Sequence, residues 1–313
     1  MAIDKKFIDQ FINVTNKAAL ASSYLVGKKD KISADKAAVD SMRSGLNKIN
    51  FQGEIVIGEG ELDEAPMLYI GEKLGTNKGP EFDIAVDPLE GTNFAANNLP
   101  GALSVIAIAE KNKLFKAPET YMEKISTRVN EKNVIDLDFT VKQNIFNLSD
   151  YLNKEPENLT ACILDRPRHK KIIDELNNLK VNIKLITDGD VSGALLVTEE
   201  KYNVDIFLGT GGGPEGVLAA VALDAFNYNF QGRFLFKTEE DKERAKKMGI
   251  NDLKKKYELN EIVSGDSIFC ATGITSGDLV EGIEIQGNNF ISETLVTHKS
   301  SNLKKIIKLK QNL

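Results

Sequence analysis

Three times between residues 159 and 226, an apolar stretch typical of a strand is followed by a polar or glycine-rich loop and then by a helical pattern. The three apolar stretches are Ala161–Leu164, Ile183–Ile186 and Val204–Leu208. This alternation predicts β-α-β units with parallel strands, and so an α/β fold. Ligands of such sheets bind beyond the carboxyl ends of the strands. We therefore expect the three loops to border one crevice.

The length of the chain suits one large or two medium-sized domains, because 313 residues exceed what one small core needs. Residues 111–158 are more polar and less regularly patterned, so we interpret them as a connector between two halves. The predicted halves are residues 1–155 and 156–313. In the first half we expect a helix over residues 4–27, a second helix led by Ser33 and Asp35, and a third that ends near Lys73.

The most distinctive stretch is Asp83–Thr92. Ile84–Val86 is an apolar run typical of a buried strand, and Pro88 is predicted to end that strand because proline lacks the N–H for the next ladder bond. A turn with Pro88 at its second position would hold Asp87 and Glu90 within about 7 Å of each other. Two carboxylates 6 Å apart repel by about 3 kcal/mol at an effective dielectric of about 20, so we expect a cation between them.

Gly91 and Thr92 follow directly, and they offer backbone N–H groups and a hydroxyl where a helix can begin. That position suits a phosphate group. Two acids followed by an anion-binding turn therefore indicate a metal-dependent phosphate site.

Further acidic residues stand near glycines or at the ends of predicted elements, where loops carry function. They are Asp35, Glu59, Asp63 and Glu215. Taken singly, each is more often a solvated surface carboxylate, and only their shared context favours a site. The chain has two histidines, which are too few for a histidine-rich metal centre. Oxygen ligands favour magnesium or manganese over zinc.

Two loops of the second half carry charges suited to a phosphorylated sugar. Arg166 and Arg168 bracket Pro167, and their guanidinium groups are either ordinary surface charges or a phosphate-binding pair. Asp188-Gly189-Asp190 is either a plain turn or a site for metal or sugar hydroxyls. The third loop, Gly209–Gly216, fits neither the dinucleotide fingerprint nor the Walker A pattern, which leaves a glycine-rich turn with one glutamate.

Charge and hydropathy exclude several classes of protein. The net charge of −6 argues against general nucleic-acid binding. No apolar run approaches the roughly 18 residues that cross a bilayer. The amino terminus lacks a signal-peptide core, so we expect a cytoplasmic protein without membrane partners. The lysine-rich tail from Lys299 is interpreted as a solvated face, with an anion-binding arm as the alternative.

Several motifs taken together resemble the class II fructose-1,6-bisphosphatases of bacteria. They are Ile57–Tyr69, Asp83–Thr92, Lys116–Pro118, Tyr121–Lys124, Pro167–His169, Asp188–Val191, Gly212–Val217 and Ala271–Thr275. The likeness extends from Asn13 to about Thr297. Asp-Pro-Leu-Glu-Gly-Thr alone is shared with the wider lithium-sensitive phosphatase superfamily, which includes inositol monophosphatases.

The resemblance implies a layered α/β sandwich of αβαβα type, with a metal-binding phosphatase half (1–155) and a substrate-binding half (156–313). It implies two divalent ions, Mn²⁺ or Mg²⁺. Asp35 and Glu59 would hold one ion, and Asp87, Glu90 and Glu215 the other. Substrate contacts would fall on Glu90, Gly91, Thr92, Tyr121, Arg166, Pro167, Arg168, Asp188, Gly189, Asp190 and Gly212. In many family members lysine stands where this chain has Arg166.

The implied activity is that of a phosphoric monoester hydrolase that removes the 1-phosphate of fructose-1,6-bisphosphate, a step of gluconeogenesis. Thr92 would orient the attacking water, and Asp63 would polarise either the Thr92 hydroxyl or that water. Family members form homodimers or homotetramers. Alternatives are a sedoheptulose-1,7-bisphosphatase, a dual bisphosphatase, an inositol monophosphatase, and a non-catalytic sugar-phosphate binding protein on the same fold.

Overall fold

The chain divides into two compact units in the computed structural model, which describes residues 2–58 and 67–313. The first unit comprises Met1–Lys116 and Val263–Leu313, and the second comprises Ala117–Ile262. This division differs from the expected boundary at residues 155 and 156, because the last strands of the chain return to the first sheet. Each unit combines helices with one sheet, which confirms the mixed α/β class. The αβαβα order of layers stays a prediction.

The described helices and strands are numbered in chain order. The helices are α1 (Lys6–Ser23), α2 (Lys31–Leu46), α3 (Thr92–Asn97), α4 (Val141–Leu152), α5 (Lys170–Asn178), α6 (Asp190–Leu195), α7 (Gly213–Phe226), α8 (Glu239–Lys247) and α9 (Leu259–Ile262). The strands are β1 (Gln52–Ile57), β2 (Lys73–Leu74), β3 (Glu81–Glu90), β4 (Leu103–Glu110), β5 (Tyr121–Thr127), β6 (Thr160–Leu164), β7 (Asn182–Ile186), β8 (Ile206–Gly212), β9 (Asn229–Leu235), β10 (Lys256–Glu258), β11 (Ser267–Gly273), β12 (Glu284–Gln286), β13 (Asn289–His298) and β14 (Leu303–Asn312).

The first unit is built on an eight-stranded sheet in the order β12-β13-β11-β4-β3-β1-β2, with β14 paired to β13. β1 and β3 are parallel, and β3 and β4 are antiparallel. β11 pairs along the whole of β4, from Ser267 opposite Ala109 to Gly273 opposite Leu103. This pairing joins the end of the chain to its beginning and explains why the first unit is formed by two separate segments.

Helix α1 covers this sheet with an aromatic cluster. The predicted helical spacing is confirmed, since Phe7 and Phe11 on α1 are buried together with Phe51 and Phe82. The ring centroids of Phe11 lie 5.9 Å from those of both Phe7 and Phe51. The Phe7 and Phe82 rings meet edge to face at 5.2 Å. Apolar burial of this size is the main contribution to the stability of the unit.

Two local predictions for the first unit are wrong. Helix α2 begins at Lys31, before Ser33 and Asp35, which were predicted to lead into it. The helix begins there because the carboxylate of Asp30 accepts a hydrogen bond from the Ser33 N–H and so caps its first turn. Residues 67–72 contain no helix, and the strand β2 follows. Backbone bonds to β1 replace the helical bonds, since the Gly71 N–H donates to the Ile55 carbonyl at 2.7 Å.

The second unit is built on a six-stranded sheet in the order β10-β9-β5-β8-β6-β7. β6 is parallel to both β7 and β8, whereas β5 is antiparallel to β8 and β9. The predicted strand-loop-helix alternation is confirmed in β6–α5, β7–α6 and β8–α7. The interpretation of residues 111–158 as a connector is wrong, because β5 lies at the centre of this sheet. The strand was not predicted because Glu123 and Lys124 interrupt its apolar pattern.

The lysine-rich tail forms the strand β14, which pairs with β13 along its whole length. Lys305, Lys308 and Lys310 are exposed, as expected of a solvated face. The Lys308 ammonium lies 3.0 Å from the Glu293 carboxylate on β13. Among the helices of the described residues, none has the length and apolar character that crossing a bilayer requires.

We predict that replacing Phe11 with alanine lowers the free energy of unfolding by about 3 to 5 kcal/mol, because it removes a fully buried ring and leaves a cavity. Ile32 on α2 is 82% exposed and provides the control, since its replacement by alanine should change stability by no more than about 0.5 kcal/mol. Urea unfolding followed by circular dichroism measures both. Equal effects of the two substitutions would contradict the packing described for α1.

Candidate active site

The strand β3 continues through Pro88 to Glu90, so the predicted turn that ends the strand is wrong. Asp87 pairs with Val105 and Glu90 with Leu103, which places one extra residue in β3. This is a β-bulge, one of the few places in a sheet where proline is tolerated. A carboxylate oxygen of Asp87 nevertheless lies within 4.8 Å of one of Glu90. The bulge therefore brings the carboxylates of Asp87 and Glu90 close together, as the predicted turn was expected to do.

The chain turns sharply from β3 into α3 at Gly91. Gly91 has φ +76° and ψ +47°, a left-handed conformation that other residues adopt at a cost. A Cβ at this position would lie 2.9 Å from the Phe94 ring. The helix begins at Thr92 as predicted, and the Thr92 hydroxyl donates a long hydrogen bond of 3.4 Å to the Leu89 carbonyl. This bond ties the hydroxyl back to the last turn of the backbone before the helix.

Asp35 lies on α2 in the same unit, beyond the first turn in which it was expected. Burial raises the pKa of its carboxyl group to about 6 from 3.8. A half-buried carboxylate with a raised pKa favours either a proton or a cation. Glu59 and Asp63 lie outside the described residues, so the metal site expected from Asp35 and Glu59 stays a prediction.

In the second unit, the loops after β6, β7 and β8 supply the predicted substrate residues at one edge of the sheet. The Arg168 guanidinium donates to the Thr210 carbonyl at 2.7 and 2.9 Å. The Thr210 N–H donates to Nε2 of His169 at 2.8 Å. Arg166 lies 3.7 Å from the Asp188 carboxylate. These contacts show that the three loops lie together, and the crevice expected between them stays a prediction.

Positive charge gathers around the ring of Tyr121, which is 40% exposed at the start of β5. The guanidinium carbon of Arg168 lies 5.0 Å from the ring centroid, and the Lys237 ammonium lies 4.4 Å from it. Both distances are within the range of cation–π attraction. Lys237 was not predicted as a site residue from the sequence, although its position just beyond the apolar strand β9 could have indicated it.

The inner part of the same edge contains buried charges. The Lys124 ammonium donates to Oδ2 of Asp190 and, at 2.6 Å, to the Gly212 carbonyl. Lys124 is 1% exposed and Asp190 8% exposed. Within residues 2–58 and 67–313, Oδ1 of Asp190 and Oε2 of Glu215 are buried and have no hydrogen-bond partner. Burial raises the pKa of Glu215, although the nearby Lys124 charge acts in the opposite direction.

Three glycines of the glycine-rich loop make room for these charges. A Cβ on Gly211 would overlap the Asp190 carboxylate, and one on Gly212 would overlap the Glu215 carboxylate. A Cβ on Gly216 would lie 3.1 Å from Cδ of Lys124. The sequence predicted a glycine-rich turn with one glutamate. Its glycines allow charged side chains to pack directly against the backbone.

The donor chemistry of these residues fits hard divalent cations. Asp87 and Glu90 provide close carboxylate oxygens, Asp35 has a raised pKa, and Glu215 has an oxygen without a hydrogen-bond partner in the described part of the chain. Carboxylate oxygens are the ligands that Mg²⁺ and Mn²⁺ prefer. These observations support a metal requirement without specifying the ion.

The raised pKa of Asp35 predicts a pH-dependent stability that an asparagine variant should lack. The fold favours the neutral carboxyl group, so this contribution is fully present below pH 3.8 and is lost as the pH rises through about 6. In metal-free buffer at pH 8, Asp35→Asn should therefore be more stable than the unmodified chain by about 2 kcal/mol, allowing for solvent screening. The difference should vanish as the pH falls towards 4.

Urea unfolding of both proteins at pH 4 and pH 8 with chelator present measures this effect. An unchanged difference between the two pH values would show that burial does not raise the pKa of Asp35. Saturating Mg²⁺ provides an internal control, because a cation bound to the ionised carboxylate should reverse the order of stability at pH 8.

Comparisons with known proteins agree over nearly the whole chain. Residues 5–311 match the family described as bacterial fructose-1,6-bisphosphatase, glpX-encoded. The chain is 42% identical over 311 residues to the fructose-1,6-bisphosphatase class 2 of Haemophilus influenzae, covering 95% of this chain and 93% of the relative. It is 39% identical over 317 residues to the D-fructose 1,6-bisphosphatase class 2/sedoheptulose 1,7-bisphosphatase of Trichodesmium erythraeum, covering 93% and 92%.

An IMPase structure from Thermotoga maritima aligns with a TM-score of 0.35 and 14% identity, covering 64% of this chain and 79% of that one. A likeness of this extent carries no argument about function. The family is shown instead by the match over residues 5–311 and by the identity to relatives along nearly the whole chain. The chain belongs to the bacterial class II fructose-1,6-bisphosphatase family.

Proposed function

We propose that this protein hydrolyses the phosphate ester at C1 of fructose-1,6-bisphosphate, with a divalent metal ion, to give fructose-6-phosphate and inorganic phosphate. The observation that carries the proposal is the pair Asp87 and Glu90, held close by the β3 bulge and followed at once by Gly91 and Thr92. This pair indicates only that a phosphate ester is the substrate, and membership of the family favours a sugar bisphosphate.

The metal ligands are proposed on the residues that match the family. Asp87, Glu90 and Glu215 would hold one ion, and Asp35 with Glu59 a second. Bound Mg²⁺ or Mn²⁺ supplies activation of water and neutralisation of charge on the phosphate oxygens and the leaving alkoxide. Oε2 of Glu215, which has no hydrogen-bond partner within residues 2–58 and 67–313, and the raised pKa of Asp35 support the assignment, since both groups favour an added cation.

The substrate would lie with its 1-phosphate against the backbone of Glu90-Gly91 and the hydroxyl of Thr92. Arg166 and Arg168, with Pro167 fixing the backbone between them, would bind the second phosphate together with Tyr121. The cation–π contact of Arg168 with Tyr121 supports this arrangement, because it holds the guanidinium in place before substrate arrives. Asp188-Gly189-Asp190 and Gly212 would contact the sugar hydroxyls.

In the reaction, water attacks phosphorus and the bond between phosphorus and the C1 oxygen breaks. The Thr92 hydroxyl accepts a hydrogen bond from the attacking water and so directs its lone pair towards phosphorus. Asp63 would polarise the same water and take up its proton, and solvent water would relay a proton from Asp63 to the leaving C1 oxygen, which gives fructose-6-phosphate and inorganic phosphate. Positioning of this kind is worth several orders of magnitude in rate.

Sedoheptulose-1,7-bisphosphate is the second candidate substrate. Relatives from cyanobacteria at 38 to 39% identity carry both activities in their names. Relatives at 42% identity from Haemophilus influenzae and Escherichia coli are named for fructose-1,6-bisphosphate alone. We therefore propose fructose-1,6-bisphosphate as the main substrate. A cytoplasmic homodimer or homotetramer acting in gluconeogenesis completes the proposal, on the basis of the family resemblance.

A substrate panel tests the proposal most directly. Phosphate release is measured from fructose-1,6-bisphosphate, sedoheptulose-1,7-bisphosphate and an inositol monophosphate, each with Mg²⁺ and with Mn²⁺. We expect the highest kcat/KM with fructose-1,6-bisphosphate, no activity after chelation, and recovery when metal is restored. Hydrolysis that persists in chelator, or an inositol phosphate as the best substrate, would overturn the proposal. Binding without turnover would identify a sugar-phosphate binding protein instead.

The role of Thr92 predicts a specific loss of turnover. Thr92→Ala should lower kcat by about 10² or more, because the hydroxyl that directs the water is removed. Thr92→Ser keeps the hydroxyl and serves as the matched control, with kcat within about tenfold of the unmodified enzyme. Steady-state kinetics with fructose-1,6-bisphosphate measures both variants, and circular dichroism checks their folding. A Thr92→Ala variant with near-normal kcat would remove Thr92 from the mechanism.

A further inference from the structure

A lysine occupies the centre of the second sheet, where an apolar residue would be expected. Lys124 lies on β5, between β8 and β9, and its side chain is 1% exposed. Its backbone pairs with Gly209 on one side and Gly232 on the other. Taking an ammonium group out of water is costly, and buried ion pairs can often be replaced by apolar residues without loss of stability. Stability alone therefore does not account for this lysine.

The Lys124 ammonium binds two parts of the predicted substrate site. It donates to Oδ2 of Asp190, at the start of α6, and at 2.6 Å to the carbonyl of Gly212, at the end of β8. One charged group thus links the loops that follow β7 and β8. The small residues Gly211 and Gly216 leave the space that this arrangement needs.

The pairing leaves one oxygen of Asp190 available. Oδ2 is held by Lys124, whereas Oδ1 is buried and has no hydrogen-bond partner among the residues that the structure describes. A buried acceptor without a partner is costly, and a donor that reaches it is bound correspondingly well. A sugar hydroxyl is such a donor. The hydrogen bond from the Lys124 ammonium to Oδ2 also fixes the direction in which Oδ1 points.

We propose that Lys124 is a positioning residue for substrate binding, which holds the Asp190 carboxylate in the orientation that a sugar hydroxyl requires. The inference rests on the proposed function, because the sugar is its ligand. Lys124 does not touch the reacting phosphate. Its loss should therefore weaken substrate binding far more than it slows the chemical step.

The first test is Lys124→Met, which keeps the length of the side chain and removes its charge. We expect KM for fructose-1,6-bisphosphate to rise about 10- to 100-fold, as is typical when a residue that orients a binding group is lost, with kcat within about threefold. Calorimetry with fructose-6-phosphate should show a matching loss of affinity. A KM within twofold of the unmodified enzyme would overturn the inference.

Lys256→Met is the matched control. Lys256 belongs to the same unit and its ammonium lies 2.6 Å from both oxygens of Asp136, so the substitution also breaks a partly buried ion pair. It contacts none of the predicted substrate residues. KM should therefore stay unchanged even if the melting temperature falls. A similar rise in KM for both variants would assign the Lys124 effect to general destabilisation.

A double-mutant comparison shows whether Lys124 acts through Asp190. Asp190→Asn should raise KM, and adding Lys124→Met to it should raise KM no further, because the group that Lys124 orients is already altered. A further tenfold rise in the double variant would overturn the inference. This comparison remains decisive if Lys124→Met alone does not fold, since the double variant removes both partners of the ion pair between Lys124 and Asp190.

The proposed function can fail separately from this inference. An unmodified enzyme that neither hydrolyses fructose-1,6-bisphosphate nor binds fructose-6-phosphate would overturn both. An active enzyme whose Lys124→Met variant has normal KM and normal affinity for fructose-6-phosphate would overturn the role of Lys124 alone.

Discussion

Compensation of buried negative charge is the constraint on which the rest of this structure depends. Carboxylates stand at the end of β3 in the first unit and in the loops beyond β7 and β8 in the second. In the second unit Lys124 neutralises Asp190 directly. The close pair Asp87 and Glu90 calls for positive charge, and the oxygen chemistry of the site suits a divalent ion.

The backbone makes these acidic positions possible in two ways. Pro88 sits in a bulge, so β3 carries Asp87 and Glu90 to one place without leaving the sheet. Gly211 and Gly212 have no side chain, so carboxylates can lie directly against the strand and the loop that carry them. The bulge and the glycines both interrupt regular packing, and both allow charged side chains to be placed there. Local irregularity of this kind is characteristic of functional sites.

Parts of the fold were predictable because they depend on local pattern. The spacing of Phe7 and Phe11 predicted α1, and three strand-loop-helix repeats predicted the parallel part of the second sheet. Other elements were not predictable, because partners distant in sequence determine them. β2 forms a strand since β1 offers it an edge, and β5 is central although Lys124 breaks its apolar run. Pairing of β11 with β4 likewise sets the extent of the first unit.

The sequence by itself determined the family and the residue types of the site, because short motifs such as Asp87–Thr92 carry their chemistry in their composition and order. It also indicated oxygen-ligated metal chemistry, through its acids and its lack of histidine-rich clusters. Only the tertiary structure showed that the Lys124 ammonium donates to the Asp190 carboxylate and that the glycines of the third loop leave space for charged side chains. The physical reason is that neutralisation acts through space over a few ångströms. The residues that neutralise each other can be far apart in the chain.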